Sequence, residues 1–305
     1  MLLSKYKNGN ATIELYDDGT KIMETDDDEF DFDFASSMDV CISERCDNGC
    51  PFCYANCTPN GCVANFDWDF LNGIPAGVEM AINMQFPLPN GFEDFLKRMK
   101  DQGVIVNATV NQRHFEAHED YINYLVHEHL LWGVGVSLVK ATPEFIKRIQ
   151  PYDNAVIHVI NGIVSMDDLK MLGGNGLKLL ILGYKDKGRG VVYKSEANDE
   201  VVRKQKIMHH YLPVILHMFK AVSFDNLALK QLNIKALITD EMWEEFYMGK
   251  EASSSFYINL VAGTYSPSSL DMLELPIGSL TVQEMFQNVK GRSALDEDYT
   301  DSRAV

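Results

Sequence analysis

From about residue 37 to residue 224 the chain alternates short apolar runs of strand length with longer amphipathic stretches of helical period. Repeated β-α units around a parallel sheet require this alternation, because each parallel strand needs a crossover to bring the chain back to the same end. The expected strands are Met38–Ser43, Val78–Asn83, Val104–Thr109, Gly133–Leu138, Ala155–Ile160 and Leu177–Leu182, with Ala221–Phe224 a seventh candidate. Helix signals fall between them at Phe92–Lys100 and Ala117–Leu130. Two helix starts are marked by capping chemistry, at Thr142-Pro143-Glu144 and at Ser165-Met166-Asp167-Asp168. Such crossovers wind in one right-handed sense, so residues 37–198 predict an α/β fold, a partial (β/α)6 TIM-like barrel with helices outside and the C-terminal strand ends on one rim.

Flanking segments extend this core. Thr12–Tyr16 and Lys21–Thr25 surround the turn-prone Asp17-Asp18-Gly19-Thr20, which predicts an N-terminal β-hairpin within residues 1–36. The acidic stretch 26–33, where Phe30, Phe32 and Phe34 alternate with Asp31 and Asp33, reads equally as an edge strand or a loop. Beyond residue 198 a long helix from about Asp199 through Lys220, a segment Trp243–Met248, a strand-like Phe256–Val261 and a helix Val282–Val289 predict an α/β extension over 199–291 packed on the barrel. Residues 292–305 are polar and acidic and read as a disordered tail.

With 305 residues, 46% of them hydrophobic, the chain can fill a sizeable core. Its formal charge of −17 argues against long nucleic acid as a partner, since phosphate-binding surfaces carry surplus Lys and Arg. Much of that charge sits in the 24–33 stretch and the tail, which leaves room for a local basic pocket. Neither a membrane-spanning apolar run nor a secretory signal is evident, and the expected location is the cytoplasm.

All six cysteines, Cys41, Cys46, Cys50, Cys53, Cys57 and Cys62, fall within 22 residues. A disulfide framework would spread its bridges through the domain, so the clustering reads as a metal site. In Cys46-Asp47-Asn48-Gly49-Cys50-Pro51-Phe52-Cys53-Tyr54, directly after the first expected barrel strand, three thiolates can converge on one group if the loop wraps round it. A four-iron cluster normally takes four thiolates, so three leave one iron open for chemistry. A structural zinc loop using Cys41, Cys46, Cys50 and Cys53 is the competing reading, although paired C-x2-C knuckles are absent.

The C-x3-C-x2-C spacing, with aromatic Phe52 before the last cysteine and its place after strand one of a β-α barrel, resembles the radical S-adenosylmethionine superfamily. That resemblance implies a [4Fe-4S] cluster on Cys46, Cys50 and Cys53 whose free iron chelates the methionine moiety of S-adenosyl-L-methionine. It also implies reductive cleavage to a 5′-deoxyadenosyl radical, hydrogen abstraction from a substrate, and an electron donor such as flavodoxin or ferredoxin. Phe52 and Tyr54 are expected beside the cofactor. The place of the family's Gly-Gly-Glu-Pro-like stretch reads Asn83-Met84-Gln85-Phe86-Pro87, so the resemblance assigns the amino group to Asn83 or Gln85, while a plain strand end fits as well. Asn107 is expected to face the pocket, Ser137 resembles a ribose contact, and Asn161-Gly162 lies in a segment like the one that pairs with adenine. Each reads equally as a hydrogen-bonded core group.

Lys185, Lys187 and Arg189, among the glycines that follow strand six, place positive charge on the rim of an acidic protein. They predict a small anionic or nucleotide-like substrate, with Asp225 and Asn226 as further contacts; the alternatives are solvated charges and a helix cap. A peptide is the second choice of substrate, because the N-terminal hairpin offers an edge strand. A non-catalytic binding protein is the contrasting class. The histidines, including His114 and His118, read as solvated helix faces.

Overall fold

The computed structural model describes residues 1–292, so the expected acidic tail beyond Arg292 lies outside the described residues. The chain opens with three strands, β1 (Leu2–Asn8), β2 (Ala11–Tyr16) and β3 (Lys21–Glu24), paired as an antiparallel meander. Only β2 buries a full apolar row, with Ile13 and Leu15 inside. The outer strand β1 alternates weakly and carries lysines, which is why its pairing is hard to read from sequence. Residues 26–33 form a loop, not a strand. Asn8 and Asn10 hold it: the Asn8 side-chain Oδ1 accepts from the Asp33 and Phe34 amides, and Asn10 Oδ1 accepts from the Asp31 amide.

The main body follows the expected alternation. Seven strands run in order, β4 (Ser37–Cys41), β5 (Glu79–Asn83), β6 (Ile105–Asn111), β7 (Gly133–Ser137), β8 (Ala155–Ile160), β9 (Lys178–Leu182) and β10 (Ala221–Phe224), each parallel to the one before. Between them lie α1 (Phe92–Asp101), α2 (Gln112–Ala117), α3 (Glu119–His127), α4 (Pro143–Ile149), α5 (Met166–Leu172) and α6 (Arg189–Ile215). The capping chemistry acts as expected, with Thr142 and Ser165 side chains accepting the amides of Phe145 and Asp168. The single helix expected over 117–130 is two, because the chain breaks at His118. The long helix starts at Arg189, ten residues before the expected Asp199, and is interrupted at Ala197 beside the 198/199 boundary.

After α7 (Asn226–Gln231) and α8 (Asp240–Phe246), three further strands join the same sheet: β11 (Ser255–Asn259), β12 (Thr264–Ser266) and β13 (Leu275–Pro276). β11 lies parallel to β4 on the side away from β5, with Asp39 opposite Tyr257, and β12 and β13 continue antiparallel. α9 (Val282–Val289) closes the described chain with a Thr281/Glu284 capping box. Fold class is therefore mixed α/β around a large, mostly parallel sheet. Among the described residues no helix is long and apolar enough to cross a membrane.

The strands are two-faced. On β4, Met38 and Val40 are buried against the helices while Asp39 faces the other way, and on β5 Met80 and Ile82 are buried while Glu79 and Asn83 are not. The sheet also curls. β9 and β12 stand seven places apart, about 34 Å in a flat sheet at ~4.8 Å per strand, yet Lys185 Nζ, just after β9, donates to Ser269 Oγ, just after β12, at 2.9 Å. The polar face thus lies inside the curl and the apolar face outside, under the helices.

The meander covers the N-terminal strand ends. Lys21 on β3 pairs with Glu79 at the start of β5, Lys178 at the start of β9 donates to the Asp18 carbonyl, and Gly19 lies against Asn154 just before β8. Both members of the Lys21–Glu79 pair are largely withdrawn from water. Removing one partner strands the other's charge, so Lys21→Met is expected to cost about 2–4 kcal/mol in urea unfolding. The double substitution Lys21→Met with Glu79→Leu should recover only part of that loss, because Asn107 also donates to Glu79.

Candidate functional site

At the opposite, C-terminal rim, the chain leaves β4 and forms the cysteine loop. Its base is a short ladder, with the Glu44 amide donating to the Cys62 carbonyl at 2.9 Å, Thr58 to Glu44 at 3.1 Å and Cys46 to Thr58 at 2.8 Å. Asn83 pins the exit of β4: its side-chain oxygen accepts from the Ile42 amide at 2.7 Å and its nitrogen donates to the Ser43 carbonyl at 2.6 Å. Both ends of Asn83 are therefore spent on the strand that carries the loop. Gly49, in the left-handed region at φ 62°, lets the loop reverse between Cys46 and Cys50.

The loop is braced from the far side of the curl by Gly188-Arg189-Gly190. A Cβ on Gly188 would lie 2.3 Å from the Tyr54 carbonyl oxygen, and one on Gly190 2.4 Å from that of Lys185, so these two positions need glycine for close approach. Arg189 then donates its amide to the Cys53 carbonyl at 3.0 Å, Nε to the Cys50 carbonyl at 3.0 Å and Nη1 to the Cys57 carbonyl at 2.9 Å. Lys185 stacks its ammonium over the Tyr54 ring, 4.1 Å from the centroid, as well as holding Ser269. Phe52 packs edge-on against Tyr193 of α6. The basic segment expected to meet an anion thus spends Lys185 and Arg189 on the protein itself.

A second brace is one that sequence reasoning missed. His114, expected on a solvated face, is buried, and its Nε2 lies 2.8 Å from Asp47 Oδ1 while its Nδ1 accepts from the Phe86 amide at 3.3 Å. That pattern fits the neutral tautomer protonated on Nε2. The hydrogen bond from His114 holds the Asp47 carboxyl below its ordinary value. Next to it, Asn48 Nδ2 donates to Cys46 Sγ at 3.2 Å. No i, i+4 pattern announces this contact; the signal lies in His114 following directly on a strand end.

All six cysteines are free thiols, with Cys46, Cys50 and Cys53 half-buried. Burial pushes the Cys50 thiol up, and the charges of Cys53 and Cys46 push it further, so the three sulfurs share one electrostatic neighbourhood. Cys53 is pulled down, first by its hydrogen bond with the Cys57 thiol, then by backbone amides and Arg189, towards the thiolate that binds metal. Three cysteine sulfurs on one short loop, with Cys53 drawn towards the thiolate, are a donor set that suits an iron–sulfur group, so chemistry and position both fit. Among the described residues no three ligating side chains already sit within reach of one ion. The sulfurs share a loop, not a finished cage.

The remaining expected positions are distributed round the rim. Gln85 reaches towards Cys57 Sγ at 3.9 Å and leaves its buried Oε1 without a partner, as Asn107 and Asn161 leave their buried Oδ1. Asn107 donates to Glu79 at 3.1 Å, and Ser137 ends β7 opposite Asn111. Gly133 and Gly135 lower the inner wall of β7, since a Cβ on Gly135 would lie 2.4 Å from the His158 ring. Burial holds His158 down to about 4, leaving it neutral. Asn161 donates to Gln231 at 3.2 Å, and Gly162 packs against Val201 of α6. Asp225 caps α7, accepting from the Ala228 and Gly183 amides at 2.7 and 2.8 Å, and Asn226 is the first residue of that helix. The structure thus gathers Cys46, Cys50, Cys53, Tyr54, Gln85, Lys185 and Arg189 at one end of the curl, with Asn161, Gly162, Asp225 and Asn226 engaged at its far edge.

A curled α/β sheet carrying a cysteine-rich loop at its C-terminal rim is the class that fold and site define. The solved structures it is similar to include Streptococcus suis SuiB: bound to S-adenosylmethionine (TM-score 0.53, 12% identity, 85% of this chain and 68% of that one) and bound to its precursor peptide SuiA (0.51, 13%, 84% and 65%). A further SuiB structure gives 0.53 at 14% identity, covering 84% of this chain and 66% of that one. The chain spans about two thirds of the length of these neighbours, and at such identities the likeness concerns the fold. No family model and no curated protein matches the sequence.

The brace makes a direct prediction. Arg189→Ala removes two charged-donor hydrogen bonds, each worth ~1.5–3 kcal/mol where the partners are left unpaired. Limited proteolysis within residues 45–62 should accelerate by about tenfold or more, and Arg189→Lys should not restore protection, since an ammonium lacks the planar fork that meets both carbonyls.

Proposed function

We propose that this chain is a radical S-adenosylmethionine enzyme, built on a partial (β/α)6 barrel of residues 37–198 with an N-terminal cap over 1–36 and an extension over 199–291. The observation that carries the reading is the placement of Cys46, Cys50 and Cys53 on one loop braced by Arg189 and His114, at the rim of a fold shared with a structure bound to S-adenosylmethionine. Those three cysteines are the ligands for a [4Fe-4S] cluster. Bound there, the cluster and S-adenosylmethionine supply reductive sulfonium cleavage and hydrogen abstraction from the substrate.

The protein's own part is to hold and to exclude. Asn83 fixes the strand that carries the loop, Arg189 fixes the loop's carbonyls, and Gln85 offers a free buried carbonyl oxygen to the cofactor's amino group. Tyr54 and Phe52 wall the cofactor site, Ser137, Asn107, Asn161 and Gly162 continue it along the curl, and the meander keeps bulk water from the other end. A flavodoxin or ferredoxin is the matching electron donor, approaching the rim.

A peptide is the substrate reading with more support. Lys185 and Arg189, the cations that argued for a small anion, are engaged by protein, and the fold is shared with a structure bound to a precursor peptide. The edge strands of the meander lie at the end away from the cysteines, so the reacting part of such a peptide enters from the rim. Anaerobic reconstitution tests the chemistry: about four iron and four sulfide per chain, and 5′-deoxyadenosine on adding dithionite and S-adenosylmethionine, are expected of the wild type. Replacing Cys46, Cys50 or Cys53 singly by Ala should abolish the product. Stoichiometric zinc in place of iron, with no 5′-deoxyadenosine, would overturn the reading.

A further inference from the structure

Inside the curl, midway along β4, one carboxylate is left over. Asp39 stands between Met38 and Val40, which are buried on the helix side, so its side chain projects from the polar face and is open to the space there. Ala81, its neighbour on β5, is too small to cover it. Tyr257, its neighbour on β11, forms no hydrogen bond with it. The carboxylate has no hydrogen bond or ion pair with any of the described residues.

Its electrostatic surroundings do not supply the missing partner. Two lysines act on it from a distance and neither pairs with it: the Lys185 ammonium is held at Ser269 and over the Tyr54 ring, and Lys21 pairs with Glu79. Asp225 and Glu79 add negative charge on either side. Burial raises the Asp39 carboxyl above its ordinary value, with those two carboxylates adding to the effect and the two lysines opposing it. Asp39 is open to the inside of the curl, and with no protein group paired to it its charge stays available on that face. A carboxylate kept this way on the wall of a ligand space is the mark of a group reserved for a ligand.

The geometry points to Asp39 as a specificity residue that receives a cationic side chain of the substrate, an ammonium or guanidinium carried by a peptide. The inference rests on the peptide reading above, and it turns the charge expected of the substrate from negative to positive at this point. Arrival of the cation gives Asp39 its first partner and sets one end of the substrate midway between the meander and the cysteine loop. Neighbouring substrate atoms are then held towards the rim, where the cofactor reacts.

The test needs no radical chemistry. Binding of Nα-acetyl-lysine amide and of Nα-acetyl-2-aminoheptanoic acid amide, in which a methyl replaces the ammonium, is measured by ligand-observed NMR on the full chain, together with thermal unfolding. The wild type should bind the lysine probe at least tenfold more tightly, and Asp39→Asn should erase the difference while its unfolding midpoint stays level or rises. Equal binding of the two probes by the wild type, no binding of the lysine probe, or an undiminished preference in Asp39→Asn would overturn the assignment. So would a lowered midpoint in that variant, which marks a structural carboxylate. Failure to form 5′-deoxyadenosine bears on the enzyme reading and leaves this comparison intact.

Discussion

A sheet with one apolar and one polar face has to curl or be covered, and here it curls. Helices α1 to α6 cover the apolar face, so the polar residues of β4 to β9 are turned towards one another. Everything else in the molecule depends on that closure. Because β9 and β12 approach across the opening, the segment after β9 can grip a loop that leaves β4, five places away in the strand order. The Arg189 contacts to Cys50 and Cys57 join residues more than 130 positions apart in sequence. A flat sheet of the same strands would leave the cysteine loop unsupported.

Most of the fold could be read because its signals are local. The strand and helix periods of residues 37–224 are properties of short windows, and caps such as Thr142 and Ser165 declare themselves within a few residues. The cysteine loop was legible for the same reason, as a spacing. What escaped was set by partners far away in sequence. Gly188 and Gly190 look like an exposed glycine-rich turn until the carbonyls of Tyr54 and Lys185 are seen against them, and Arg189 looks like an anion-binding cation until its carbonyl partners appear. His114 hides its role in the same way, behind Asp47.

Asp39 is an instructive omission, because its signal was local after all. The run Met38-Asp39-Val40 alternates as a two-faced strand should, and an acid at the inward position is the one residue there that solvation of an outer face cannot explain. Taken only as one of several short apolar runs, Met38–Ser43 hides that alternation. The charge balance of the interior follows the same logic. Basic residues at the rim hold the architecture together, and the acid within has no hydrogen bond or ion pair among the described residues.

The N-terminal meander lies across the starts of β5, β8 and β9 and closes that end of the curl. Stoppered at its base, the curl is reached from the rim that carries the cysteine loop, so an occupant seated deep has to pass that loop before a larger one settles over it.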